Sequence, residues 1–276
     1  MTTDRFIAHD TGSGADIASE VVATDVGALA LPRDDGMMLP WFRRHGWWEP
    51  HESRLVESLL YPGDTFVDVG AHIGYHTLRA LRRVGPAGAV FAIEPWAPLR
   101  DLLRRNVAAN VPELAGALSV VEGAAWHTDM PLRLRLDPRG NTGDSRVGTS
   151  GGPLEVPGVR LGGLAELRAR RPALIKTDIQ GRDHHALTGL ADLLLRDRPH
   201  VLCEFWPHGI RDDGSDPAEV LRLYRSWGYE PKLVREAYAC PEFHACVLSH
   251  RDDAEYIALA EQSRGGFATL WLCPRP

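Results

Sequence analysis

The sequence predicts a doubly wound α/β fold around a mostly parallel sheet, and three observations carry that reading. From Thr65 onward, short apolar runs alternate with stretches of helical spacing. One run ends in a glycine turn that leads straight into a helix, Val67-Asp68-Val69-Gly70-Ala71-His72-Ile73-Gly74. The next run ends in an acid, Glu94. Strands of a parallel sheet are covered by helices on both faces, so they read as continuous apolar runs.

Residues 1 to about 30 show weak periodicity, and 1–45 read as an N-terminal extension packing on or near a domain at 46–276, with tryptophans crowded at Trp41, Trp47 and Trp48. From Pro50 the spacing of Leu55, Leu59 and Leu60 suits a helix, closed by Tyr61-Pro62-Gly63-Asp64. Strands are expected at 65–70, 89–95, 118–125, 173–178, 200–205, 229–234 and 267–273. Helices are expected at 75–84, 98–110, 184–195 and 217–228. The rhythm breaks between Val121 and Ala173, where 132–137 and 153–161 look like antiparallel strands around a glycine-rich loop at 138–153. A long loop inserted in a compact domain is commonly functional, and this one is read as a mobile segment over the substrate.

Composition narrows the function. The chain of 276 residues is long enough for one large core, with 44% apolar and 25% charged residues. It has no apolar run of about 18 residues to cross a bilayer. The opening MTTDRFIAHD lacks the basic and apolar regions of a secretion signal. A cytoplasmic location without membrane contact is expected. Net charge is -6 with no basic cluster to track a phosphate backbone, so nucleic acid is not an expected partner. The oligomeric state stays open, a homo-oligomer included. Cys240 and Cys246 lack a second close pair for a metal site, while Cys203, Cys246 and Cys273 sit in apolar runs as small core residues.

Glycines at 70 and 74 let the backbone turn tightly and come close to a ligand. Glu94, 24 residues after Gly70, is placed to accept hydrogen bonds from the hydroxyls of a nucleoside ribose. Dinucleotide enzymes and methyltransferases share this pairing. Two details favour a methyl donor: the turn lacks the third glycine of G-x-G-x-x-G, and Asp68 suits a cationic amino group better than a pyrophosphate. As a plain structural residue, Asp68 would instead cap a helix or bond within the core.

The segments DTFVDVGAHIGYHT, VGPAGAVFAIEP, LLRRN, AAW and LIKTDIQG followed by ALTGL, in that order between about Gly46 and Glu204, resemble the FkbM-type methyltransferases. The resemblance implies a seven-stranded, Rossmann-like methyltransferase fold, S-adenosylmethionine as cofactor, and O-methylation of a small molecule such as a sugar or a natural product. It further implies that Asp68, Gly70, Ala71, His72 and Gly74 line the donor's methionine part, that Glu94 takes its ribose, and that Glu122, Ala124 and Ala125 border its adenine. Asn141, Ser145 and Arg146 follow an N-x-G-x-S pattern often seen there in the family. The chain departs from the family at His72, commonly Asn, and at Gln180, where D-x-E-G is usual.

Methyl transfer requires an acceptor oxygen held behind the methyl carbon and a base for its proton. Asp178, ending the fourth strand, is the first candidate; His184 and His185 offer bases near neutral pH, or else face solvent. Glu204 and Trp206, with Trp48 and the loop residues, are candidates for enclosing the acceptor. Oxygen ligands Asp178, Asp183 and Glu204 suit magnesium, but nothing in their spacing demands a metal, and none is expected. Two alternatives remain: an NAD-dependent or nucleotide-sugar oxidoreductase, and a non-catalytic cofactor-binding module. The first needs a Tyr-x-x-x-Lys pair, and neither Lys176 nor Lys232, the chain's two lysines, follows such a tyrosine.

Overall fold

The computed structural model describes residues 17–137, 140–235, 247–249 and 252–275. In chain order the strands are β1 (Ser19–Thr24), β2 (Gly27–Pro32), β3 (Thr65–Val69), β4 (Ala89–Glu94), β5 (Leu118–Glu122), β6 (Ala124–Ala125) and β7 (Met130–Arg135). They continue with β8 (Arg146–Gly148), β9 (Leu154–Val159), β10 (Pro172–Thr177), β11 (His200–Phe205), β12 (Tyr229–Val234), β13 (Val247–Leu248) and β14 (Ala268–Pro274). The helices are α1 (Met38–His45), α2 (Pro50–Leu59), α3 (Tyr75–Val84), α4 (Ala97–Asn110), α5 (Ala165–Arg168), α6 (Asp183–Gly189), α7 (Ala191–Asp197), α8 (Pro207–Asp212), α9 (Pro217–Ser226) and α10 (Asp253–Gln262). None of these helices is long and apolar enough to cross a membrane.

The main sheet runs β13-β12-β14-β11-β10-β3-β4-β5. Its half from β11 to β5 is parallel, and the β14, β12 and β13 end is antiparallel. Seven strands match the expected sheet, and the two-residue β13 adds an eighth at the edge. One core cluster fills the face covered by α6, α7, α9 and α10, and another fills the face covered by α2, α3 and α4. Every residue of β3 and β4 is buried, which is why both read as unbroken apolar runs.

Three elements differ from the sequence reading. The single strand expected at 118–125 is two, because Gly123 (φ +151) breaks it; a Cβ there would lie 2.6 Å from the Pro157 carbonyl oxygen. β5 stays in the main sheet, and β6 joins a second sheet ordered β6-β9-β7-β8. The helix expected at 184–195 is α6 and α7, interrupted at Leu190 (φ −103, ψ 2). The third difference is at the N-terminal side: β1 and β2 form an antiparallel hairpin, and α1 follows. Val22, Leu29, Leu31, Leu39 and Phe42 belong to the same core cluster as α3 and α4. Asn106 and Asn110 of α4 grip the β2 backbone, with Ala30 N–H donating to Asn106 Oδ1 at 2.8 Å and Ala28 N–H to Asn110 Oδ1 at 3.0 Å. Arg79 of α3 reaches across to Asp25 at 2.6 Å and also pairs with Glu57. The opening signal reading (within 1–16), and Cys240 and Cys246, lie outside the described residues. Of the other two cysteines, Cys203 is buried and Cys273 half-buried.

Candidate active site

The carboxyl ends of β3, β4, β10 and β11 open into one cavity of about 570 Å³. Open α/β sheets bind ligands at this edge, and the volume suits a small-molecule site. At one end the glycine turn follows β3. Gly70 has φ +83, and a Cβ there would sit 2.2 Å from the Asp178 carbonyl oxygen. Its glycine is therefore required by the passage of two backbones, whatever else lies in the cavity. Gly70 and Ala71 both donate their N–H groups to the Ile93 carbonyl at 3.0 Å. His72 takes a left-handed conformation (φ +53), a region where His and Asn are enriched among non-glycine residues.

Two buried carboxylates face this end. Asp68 accepts from the Thr77 hydroxyl at 2.6 Å, and burial pushes its pKa up to about 6. Glu94 accepts from the backbone N–H of His72 at 3.1 Å and of Trp96 at 2.8 Å. Burial outweighs those two bonds and pushes it up to about 7. Ala124, Ala125 and Trp126 form the adjoining wall; the Trp126 Nε1–H is buried without a partner.

The other end is more charged. Asp178 lines the cavity with 30% of its side chain exposed, and its Oδ2 lies 3.1 Å from the Lys176 ammonium. Glu204 is buried with Oε2 unpartnered. Burial, together with the nearby Asp178 and Asp183, holds it well above the usual carboxylate range. Over this end lies the loop between β7 and β8. Arg146 stacks its guanidinium on Trp206, 4.3 Å from the ring centroid, and pairs with Asp144 at 3.2 Å and Asp212 at 3.7 Å. Trp48 and Phe267 complete an aromatic rim.

The model of the FkbM methyltransferase domain matches residues 68–231. The chain belongs to the FkbM methyltransferase family. No curated protein matches it. Among solved structures it is similar to an FkbM methyltransferase from Methylobacillus flagellatus KT (15% identity, TM-score 0.44), with 80% of this chain covering 50% of that one. This chain thus spans about half the length of that relative. It is also similar to an S-adenosylmethionine-dependent O-methyltransferase from Thermotoga maritima (12%, TM-score 0.44, 93% and 78% covered). A TehB-like S-adenosylmethionine-dependent methyltransferase from Corynebacterium glutamicum is a third (13%, TM-score 0.42, 86% and 95% covered). At these scores the likenesses carry no argument about residues or substrates.

In this FkbM-family chain the cavity is lined by Asp68, Gly70, Ala71, His72, Glu94, Ala124 and Ala125, and also by Trp48, Asn141, Ser145, Arg146, Asp178, Glu204 and Trp206. Four residues singled out from the sequence lie off its walls. Gly74 opens α3, where a Cβ would press on Leu103. Glu122 turns to Arg104 at 3.2 Å and Arg100 at 3.6 Å, since β5 is an edge strand whose end meets α4. His184 and His185 project behind the cavity. His185 bonds Asp213 and stacks on Trp126 with centroids 4.0 Å apart, and His184 Nε2 meets Ser215 Oγ at 3.1 Å. The helix start that suggested two accessible bases instead delivers a packed imidazole pair. Residues given no site role by the sequence reading are Glu49, His76, Lys176, Trp126 and Thr142 on the cavity walls, and Glu52, which pairs with Lys176. A lysine inside the apolar run ALIKTD was the one available signal.

Among the described residues two groups bring three metal-ligating side chains together, Glu49–Glu52–His76 and His184–His185–Asp213. The set Asp178, Asp183 and Glu204 does not converge in this way. Each group already has a cation against it: Lys176 lies 3.2 Å from Glu52, and Arg182 lies 3.0 Å from Asp213.

Proposed function

We propose that this chain binds S-adenosylmethionine at the glycine-turn end of the cavity and methylates a hydroxyl of a small molecule, a sugar or a secondary metabolite, held at the Asp178 end. The observation that carries this reading is the pair of desolvated carboxylates, Asp68 and Glu94, on adjacent strands beside the turn. Each Glu94 oxygen accepts one backbone bond, and a carboxylate has room for about four, so acceptor capacity remains for a ribose diol. Burial raises both pKa values, to about 6 and about 7, so a ligand that brings donors and positive charge stabilises the ionised forms that burial disfavours. A pyrophosphate would bring the opposite sign. Ala124 and Ala125 beside Trp126 are the apolar wall offered to the adenine. Glu122, paired with its arginines, plays no part in this reading, and neither do His184 and His185.

When bound, S-adenosylmethionine supplies a methyl group already activated on a sulfonium. The chain's task is to hold an acceptor oxygen in line and to take its proton. Asp178 is the group placed for both, on the cavity side and fixed by Lys176. Glu204, whose pKa burial holds well above the usual carboxylate range, offers a hydrogen bond to the acceptor. Trp48 and Trp206 give it apolar faces, and Asn141, Ser145 and Arg146 of the loop exclude water above it. The proposal has the reaction take place in the cytoplasm, with neither nucleic acid nor membrane as partner.

Calorimetry with S-adenosylmethionine, its demethylated product and NAD tests the donor, and transfer of a labelled methyl group to a panel of hydroxylated sugars and metabolites tests the acceptor. The expected result is binding of the first two with NAD much weaker, and label in an ether. Preferential binding of NAD would overturn the reading.

A further inference from the structure

Lys176 lies on β10 near the centre of the main sheet and is 3% exposed. Its ammonium lies 3.1 Å from Asp178 Oδ2, 3.2 Å from Glu52 Oε2 and 4.0 Å from Glu49 Oε2. Glu49 also meets His76 Nε2 at 3.1 Å, and Glu52 accepts from the Thr269 hydroxyl. The ligating atoms of Glu49, Glu52 and His76 all lie within 4.8 Å of one another. Two carboxylates and an imidazole form a donor set that suits manganese, and Asp178 meets the cluster through the Lys176 ammonium.

Carboxylates taken out of water in this number need a cation at close range. Lysine supplies one as a compact charge with three donors on a flexible stem. Burial alone would lower the Lys176 pKa, but Asp178, Glu52 and Glu49 outweigh it and keep the side chain charged. The same pairing, with His51 and His76 adding to it, overcomes burial and holds Glu52 at about 2. The cluster is thus complete around an organic cation.

We infer that Lys176 is a built-in replacement for a divalent metal ion, whose ammonium neutralises Glu52 and orients Asp178 toward the cavity, and that its removal uncovers a latent metal site made of Glu49, Glu52 and His76. Lys176 is then a positioning residue: it acts on the acceptor through Asp178, and this consequence rests on the function proposed above. The latent site itself does not.

The test uses the full chain and manganese alone as probe. Mn²⁺ uptake is followed by loss of the free-ion electron paramagnetic resonance signal and by thermal unfolding, for wild type, Glu52→Gln, Lys176→Ala and Lys176→Ala with Glu52→Gln. Wild type is expected to take up no Mn²⁺ at a specific site. Lys176→Ala is expected to unfold at lower temperature, to bind a single ion per chain and to regain its melting temperature with it. The added Glu52→Gln should abolish that uptake. If Lys176→Ala folds only when Mn²⁺ is present, the inference is supported; if it folds in neither condition, Lys176→Ser is measured in its place. No uptake by the folded single variant overturns the inference. So does a wild-type Mn²⁺ site that Glu52→Gln removes. Calorimetry with S-adenosylmethionine on the same samples reports separately on the donor site.

Discussion

His72 Nε2 lies 2.8 Å from the hydroxyl oxygen of Thr142, which joins the glycine turn to the loop between β7 and β8. The Thr142 hydroxyl donates its one proton to Asp35 Oδ2 at 2.6 Å, so His72 must supply the proton between them from Nε2. Burial lowers the His72 pKa to about 4, which keeps the ring neutral in this arrangement. Asp35 uses its other oxygen to accept from the N–H groups of Met38 at 2.6 Å and Met37 at 3.0 Å at the start of α1. The loop, the turn and the N-terminal segment therefore meet at one hydroxyl.

Replacing that hydroxyl should free the loop without unfolding the protein. Thr142→Val keeps the shape and removes two hydrogen bonds worth about 1 kcal/mol each. Hydrogen exchange of the amides at 141–147 is expected to accelerate at least several-fold, with donor affinity little changed. Identical exchange in the two proteins would mean that the loop is held by Arg146 and Trp206 instead.

Donor binding should depend on pH through Glu94. Its carboxyl is raised to about 7 in the ligand-free protein, and ribose hydroxyls stabilise only the ionised form. Binding therefore lowers the pKa and releases a proton, so affinity rises with pH. Calorimetry should show a gain on the order of tenfold between about pH 5.5 and about pH 7.5. Proton release, read from buffers of different ionisation enthalpy, should fall in Glu94→Gln to the smaller part that Asp68 supplies. A flat profile in the wild type would remove Glu94 from the donor site.

Asp178→Asn retains the side-chain shape and loses the base. Turnover is expected to fall on the order of a hundredfold or more, with donor affinity within a few-fold of wild type. Unchanged turnover in a single-turnover assay would reduce Asp178 to a structural partner of Lys176.

Gly70→Ala should be far more costly than Gly63→Ala. Both glycines have positive φ, +83 and +92, but a Cβ at 70 strikes the Asp178 carbonyl, whereas at 63 it meets nothing within 4 Å. The expected losses in chemical unfolding are about 3 kcal/mol or more at Gly70 and about 1 kcal/mol at Gly63. Equal losses would show that backbone conformation alone explains both.

Much of the site was legible because its residues sit at strand ends, where a doubly wound sheet gathers ligands whatever the rest of the chain does. Asp68, Glu94, Asp178 and Glu204 were found in this way, each as the polar residue at the end of an apolar run. His184 and His185 were misleading for a related reason: position after a strand brings a residue near the cavity edge, but the α6 helix face turned both toward Asp213. Glu122 has the strand-end position too, and two arginines on α4 claim it.

The order of apolar and polar residues by itself determined the alternation of strands and helices, the glycine turn and the acids that follow it, because these depend on local periodicity and on which backbone angles glycine allows. Only the tertiary structure decided which side chains share a charge. Lys176 lies on β10, Glu52 on α2 with Glu49 just before it, and His76 on α3, so the group comes from three separate parts of the chain, and Thr269 of β14 joins it. The cost of burying a carboxylate is set by whatever cation the fold brings within a few ångströms, and no pattern within a single segment encodes that distance.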